Sequence, residues 1–151
     1  MMEKLIVGKS LETQLSALLA TLPSDAIVSY MVTRLNEGEE ATIVASSKET
    51  QIHTGASMVK TLILEYVFHL AAQEQLDIND TIALSRSPRV EGAGALMELV
   101  GNHSFSYLEL CRLMMVLSDN WATNLLIQVL GMEYINARAE QIGLEHFEIN
   151  R

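Results

Sequence analysis

Residues 57–70 read Ser57-Met58-Val59-Lys60-Thr61-Leu62-Ile63-Leu64-Glu65-Tyr66-Val67-Phe68-His69-Leu70. Written as a helix, this stretch has apolar side chains on every face, and a helix of that kind lies at the centre of a domain rather than on its surface. The reading extends it to about Gln75. Lys60 is carried in between Val59 and Leu62, and Ser57 stands three residues earlier on the same face of the first turn, with Cβ atoms about 5–6 Å apart. His69 reads as a core histidine with a satisfied ring, and it is given no chemical role.

Working outward, Ser10 is placed to cap a helix whose residues Leu11, Leu15, Leu18, Leu19 and Leu22 fall on one stripe, with Pro23 as its stop. Two β-rich runs follow, Ala26 to Arg34 and Ala41 to Ser46, separated by Asn36-Glu37-Gly38-Glu39-Glu40, a composition that suits a hairpin turn. Beyond the central helix, Asp77 to Gly94 reads as a loop-rich connection. Its Glu91-Gly92-Ala93-Gly94 follows no strand and opens no phosphate-binding helix, so it is not read as a nucleotide site. Ser106 with Glu109 makes a capping-box signature for a helix carrying Leu110, Cys111, Leu113 and Met114. After a break at Ser118-Asp119-Asn120, helices are expected from Trp121 to Leu130, ending at Gly131, and from Glu133 to Ile142, ending at Gly143. The fold class expected is α/β in the α+β sense, an all-helical region against an antiparallel sheet. Residues 1–56 supply a helix and hairpin belonging to the sheet, and residues 57–151 supply the helical region. With no repeats and no low-complexity linker, the two read as parts of one interwoven unit.

At 151 residues and 49% hydrophobic composition, the chain is long enough to bury a core. Its 19 acidic against 10 basic residues give a formal charge of -9, and the Lys and Arg are scattered, which argues against a nucleic-acid partner. No membrane span is expected, because Glu65, Arg112 and Asp119 interrupt the apolar stretches. Met1 to Lys9 contains an apolar run of three residues, too short for an export signal. The location expected as written is therefore cytoplasmic, or extracytoplasmic if a leader has been removed. Cys111 is the single cysteine, so no internal disulfide forms, and it reads as inert packing. No metal site or cofactor is expected.

Two clusters can carry chemistry. A serine hydroxyl needs a base to become a nucleophile, and a lysine in apolar surroundings has its pKa depressed toward the range where it serves as one. Ser57 and Lys60 meet that demand, and the Ser57 N–H at a helix N-terminus suits a developing oxyanion. Equally, Ser57 can simply cap the helix while Lys60 reaches to water. In the second cluster, Ser118 can pass a proton to a leaving nitrogen. Asn120 can bind a substrate amide and orient Lys60, and Asp119 can hold the loop through backbone N–H groups. Plain capping of the helix that follows is the alternative for this cluster.

Together the clusters resemble a known family. Ser-x-x-Lys followed by Ser-Asp-Asn is a motif pair of class A β-lactamases and penicillin-binding proteins. The segments His53-Thr54-Gly55-Ala56-Ser57-Met58-Val59-Lys60-Thr61-Leu62 and Leu110-Cys111-Arg112-Leu113-Met114-Met115-Val116-Leu117-Ser118-Asp119-Asn120-Trp121-Ala122-Thr123-Asn124-Leu125-Leu126 are similar to that family's central-helix entry and second motif. The resemblance covers nearly the whole chain. It implies a β-lactamase/transpeptidase-like fold and a serine hydrolase that opens β-lactams through an acyl-Ser57 intermediate, with Lys60 and Ser118 catalytic, Asn120 substrate-binding and Asp119 supporting the site. The partner implied is a β-lactam or peptidoglycan-peptide-like small molecule.

The sequence departs from the family at three points. No Lys-Thr-Gly occurs, so the family's carboxylate-binding strand and, just beyond it, its second oxyanion donor are not supplied. Phe147-Glu148-Ile149-Asn150-Arg151 resembles the approach to the family's deacylating glutamate, which is not reached; neither Glu145 nor Glu148 is promoted to that role. Leu64 stands where some relatives have a cysteine that would bridge to the Cys111 position. The chain is therefore expected to be the N-terminal part of such a protein, with only the first two strands of the sheet, inactive alone, and able to pair with a C-terminal fragment of the same protein. Two other functions remain open: a penicillin-binding peptidase or esterase using the same Ser57 and Lys60, and a non-catalytic relic or scaffold module.

Overall fold

The computed structural model describes residues 10–150 except 36, 37, 39 and 145. It divides into two compact units, residues 1–53 and 54–151. In the first, Ser10 accepts a hydrogen bond from the Thr13 amide and caps helix α1, Leu11–Leu19. The helix ends before Pro23, because the Thr21 amide and hydroxyl both turn back onto the Leu18 carbonyl, at 3.0 and 2.7 Å. Strands β1 (Tyr30–Arg34) and β2 (Thr42–Ser47) pair antiparallel. Val32 faces Ala45 while Thr33 faces Ile43, so Val44 is an extra residue that bends the ribbon. β1 begins at Tyr30 rather than Ala26, since Tyr30 faces Ser47, the last residue of β2. Of the turn between the strands, Asn36, Glu37 and Glu39 lie outside the described residues.

The second unit holds the core. A 3-10 turn, Ala56–Met58, leads into α2 (Val59–Ala72), followed by α3 (Tyr107–Val116), α4 (Asn120–Leu130) and α5 (Met132–Gln141). The capping box is formed, with the Glu109 amide donating to Ser106 Oγ and the Ser106 amide donating to Glu109 Oε2. Ile63 and Val67 of α2, Leu110 and Met114 of α3, Leu125 and Leu126 of α4, and Ile135 and Ala139 of α5 are all fully buried in one cluster. Cys111 lies in the same cluster, and burial pushes its thiol up to about 11, which keeps it protonated and unreactive. Arg138 of α5 forms an ion pair with Glu65 of α2, its Nε donating to Oε2 at 3.0 Å. No helix among the described residues is long and apolar enough to cross a membrane.

Two expectations change here. Helix α2 is not buried on every face: Phe68 is 45% exposed, and Met58 just before the helix 78%, because α3, α4 and α5 cover only the side that carries Lys60, Leu62, Ile63 and Val67. His69 is correspondingly half-buried, in the last turn of α2, with its ring stacked on Tyr66 at a centroid distance of 6.5 Å. The connection read as loop also contains a strand, β3 (Thr81–Ala83), which pairs antiparallel with β4 (Ser104–Ser106). Three residues per strand are too few to show alternation in a sequence.

Candidate active site

The 3-10 turn that precedes α2 decides where Ser57 points. Ala56 adopts a left-handed φ of 42°, which is uncommon for a residue with a Cβ and reorients the chain just before the serine. Neither the turn nor α2 has a side-chain cap, so the Ser57 hydroxyl is not used in capping. It lies 3.3 Å from Lys60 Nζ, one turn along. Lys60 does not reach to water: it is only 5% exposed, and burial lowers its pKa from the ordinary lysine value, an effect partly opposed by the charge of Asp119.

The second cluster arrives on the link between α3 and α4. α3 closes with the Leu117 and Asp119 amides both donating to the Leu113 carbonyl, and between them Ser118 takes a left-handed φ of 54°. That geometry brings both Ser118 oxygens to the lysine. Lys60 Nζ donates to the Ser118 carbonyl at 2.8 Å, to Ser118 Oγ at 2.7 Å and to Asn120 Oδ1 at 3.3 Å. The Ser57 and Ser118 hydroxyls are 3.3 Å apart. Ser57, Ser118 and Asn120 thus surround the Lys60 amine, Ser57 and Ser118 being 61 residues apart in sequence.

Asp119 is 1% exposed, and its carboxylate bonds to backbone amides rather than to these side chains. Its Oδ1 accepts from the Ala122 amide at 2.9 Å, capping α4, while its Oδ2 accepts from the Ala95 and Leu96 amides at 2.7 and 2.9 Å. Capping and loop-holding are therefore done by the same carboxylate. The Asn120 amide adds a third tie, donating to the Ala93 carbonyl at 2.9 Å. Glu91-Gly92-Ala93-Gly94 is thus no nucleotide loop but a backbone partner of the site, a contact that the sequence reading does not reach. The only available signal was the pair of glycines. A Cβ on Gly94 would sit 2.2 Å from Asp119 Oδ2 and 2.6 Å from its Cα, so no other residue fits against the aspartate. Elsewhere Trp121 Nε1 donates to the Ser87 carbonyl at 3.4 Å and Gln128 Nε2 to the Arg86 carbonyl at 2.7 Å, tying α4 to the turn before this loop.

Residues 10–151 match the model of the Beta-lactamase enzyme family. The chain belongs to this β-lactamase family. Among curated relatives, β-lactamase BRO-1 of Moraxella catarrhalis is 29% identical over 112 residues, 69% of this chain and 36% of that protein. Among solved structures, PBP-A superposes with a TM-score of 0.73 at 24% identity, covering 99% of this chain and 53% of its own. A PBP-A mutant, solved as its acyl-enzyme complex with penicillin G, gives 0.74 at 26% identity over 93% of this chain and 52% of its own. The β-lactamase of Sphaerobacter thermophilus gives 0.69 at 23% identity, covering 82% of this chain and 44% of its own. The chain thus spans about half the length of these solved relatives and about a third of the curated one. The β-lactamase/transpeptidase-like fold follows from these superpositions. Among the described residues no group of three or more His, Cys, Asp or Glu is placed to hold a metal ion. Glu148 is exposed, and Glu145 lies outside the described residues.

Proposed function

We propose that this β-lactamase-family chain carries the acylating half of a class A type serine hydrolase, in which Ser57 attacks the carbonyl carbon of a β-lactam. The observation that carries the reading is the set of bonds around Lys60 Nζ. Nζ donates toward Ser57 Oγ, the Ser118 carbonyl and Oγ, and Asn120 Oδ1; when the amine gives up a proton, its two remaining N–H bonds stay with the Ser118 carbonyl and Asn120 Oδ1, and its single lone pair is free to face the Ser57 hydroxyl. Lys60 takes the Ser57 proton as the Oγ–C bond forms. The lactam C–N bond then breaks, and the proton passes from Lys60 through Ser118 Oγ to the departing nitrogen. An ester on Ser57 remains. Asn120 positions the substrate amide, the Ser57 N–H supports the oxyanion, and Asp119 holds the loop. A water then releases the acyl group, by way of a carboxylate these residues do not supply. The acylated PBP-A mutant at 26% identity supports the acylation step.

The test is to incubate the natural full-length polypeptide with a slowly processed penicillin and map the adduct. It is expected on the peptide containing Ser57 and absent in Ser57→Ala; an adduct that survives this substitution overturns the assignment. The likeness to PBP-A also favours a second reading, a penicillin-binding peptidase or esterase with the same Ser57 and Lys60. The lifetime of the adduct separates the two, since a β-lactamase clears it by hydrolysis and the other enzyme retains it. Failure of any penicillin to label the protein would leave a non-catalytic relic.

A further inference from the structure

Gly92 is exposed, on the loop that Asp119 and Asn120 hold, and its φ is +115°. A Cβ built there would stand 2.5 Å from Asn120 Nδ2 and 3.7 Å from Asn120 Cγ, and beyond its own chain neighbours would meet no other described residue within 4 Å. At Gly94 the obstruction is the carboxylate and Cα of Asp119, so a side chain at that position strikes backbone. The two glycines of Glu91-Gly92-Ala93-Gly94 therefore face different partners. Gly94 accommodates the residue that holds the loop, whereas Gly92 accommodates only the amide end of a side chain that touches Lys60. Three backbone ties, from the Ala95, Leu96 and Asn120 amides, fix the loop at the distance where this matters. Any side chain at position 92 must displace the Asn120 amide group, because that group is the movable partner of the contact. Displacing it withdraws Oδ1 from Lys60 Nζ, 3.3 Å away.

We propose that Gly92 is a positioning residue. Its bare Cα acts as a stop behind the Asn120 carboxamide, keeping Oδ1 on Lys60 and Nδ2 turned to the loop side of the site. The inference deepens the acyl-transfer reading and rests on it for its catalytic consequence, though not for its geometry. Oδ1 is one of two carbonyl-type acceptors on Lys60, so losing it frees the amine to rotate and to point its lone pair away from Ser57. A misplacement of about 1 Å commonly costs on the order of 10²-fold in rate.

The experiment is a double-mutant cycle in the natural full-length polypeptide, with Gly92→Ala, Asn120→Ala and the pair. Acylation by a chromogenic cephalosporin is followed in the first turnover, and Lys60 is titrated by NMR through its side-chain carbon next to nitrogen. Gly92→Ala is expected to slow acylation on the order of 10²-fold and to move the Lys60 titration. In the Asn120→Ala background the same change is expected to do neither, because the group it displaces is gone. Multiplicative losses, or a Gly92→Ala protein with parental acylation and parental Lys60 titration, would overturn the proposal, since strain at φ +115° alone acts equally in both backgrounds. If Gly92→Ala alone fails to fold, restoration of the fold by Asn120→Ala supports the proposal and continued failure overturns it. If the parent protein is never acylated at Ser57, the acyl-transfer reading fails, while the Lys60 titration still decides whether Gly92 positions Asn120.

Discussion

Lys60 lies within hydrogen-bonding distance of four oxygens, and burial has lowered its affinity for a proton. Two predictions follow from that position. Lys60→Ala is expected to slow acylation of Ser57 on the order of 10²–10⁴-fold, the usual loss when a general base is removed, with the fold retained; stopped-flow acylation alongside circular dichroism checks both parts. The second concerns stability. An unfolded chain protonates this lysine up to about pH 10.4, whereas the native state releases the proton at lower pH. Between those two values the unfolded state holds more protons, so this group makes stability rise as pH increases and stop rising near the ordinary lysine value. Lys60→Met is expected to abolish that rise, seen as a flatter dependence of the urea midpoint on pH, and an unchanged slope would contradict the burial argument. The contacts among Ser57, Lys60 and Ser118 were legible beforehand because two of the three residues are one helical turn apart and the third belongs to a motif of known context. The share taken by Gly92 was not, since it works through the absence of a side chain.

At the scale of elements, the link between α3 and α4 and the loop at 92–96 form one unit. A single carboxylate accepts three backbone N–H groups there, so Asp119→Ala leaves three donors short of a partner and uncaps α4 at once. The expected loss is at least about 3 kcal/mol, given what bonds to a charged acceptor contribute. Asp119→Asn retains one acceptor but turns an NH₂ group toward a donor, and should lie between parent and alanine variant. Gly94→Ala is expected to match Asp119→Ala in stability loss, because the added methyl strikes the same carboxylate and its Cα. Thermal melts of the three variants check the order. This coupling was half visible in the sequence. Asp119 as a loop holder could be read from its place between two hydrophobic helices, but the amides it holds belong to Ala95 and Leu96, which have no polar side chain to announce them. β3 and β4 escaped for a related reason, their pairing being recorded in backbone atoms over three residues each. The capping box at Ser106 and Glu109 was legible because both halves of it are side chains.

For the whole molecule, the two units differ in how much core they own. The hydrophobic cluster lies entirely within residues 54–151, and in the first unit only Ala45 is buried among the described residues. Amide exchange should therefore be slowest in α3 and α4 and fastest in β1 and β2, whose Met31 and Ile43 are 53% and 57% exposed. The same asymmetry applies to chemistry. The side chains of Ser57, Lys60, Ser118 and Asn120 all converge in residues 54–151, whereas no Lys-Thr-Gly occurs in these 151 residues and no carboxylate among the described ones is hydrogen-bonded into this hydroxyl and amine cluster. Relatives of the same fold are about twice as long. The chain of 151 residues, purified alone, is accordingly expected not to turn over a β-lactam. Removing one oxyanion donor typically costs about 10²–10³-fold, and the Lys-Thr-Gly that would bring the carboxylate-binding cation does not occur in these 151 residues, nor does a carboxylate among the described residues reach the cluster, so hydrolysis of a chromogenic cephalosporin should not exceed the buffer rate. Any activity in such a preparation should trace to a second polypeptide carrying Lys-Thr-Gly, visible by intact-mass spectrometry. Sustained turnover by a sample shown to hold this chain and nothing else would mean that the reaction needs no more than the Ser57, Lys60, Ser118 and Asn120 cluster, and would overturn the division of labour argued here.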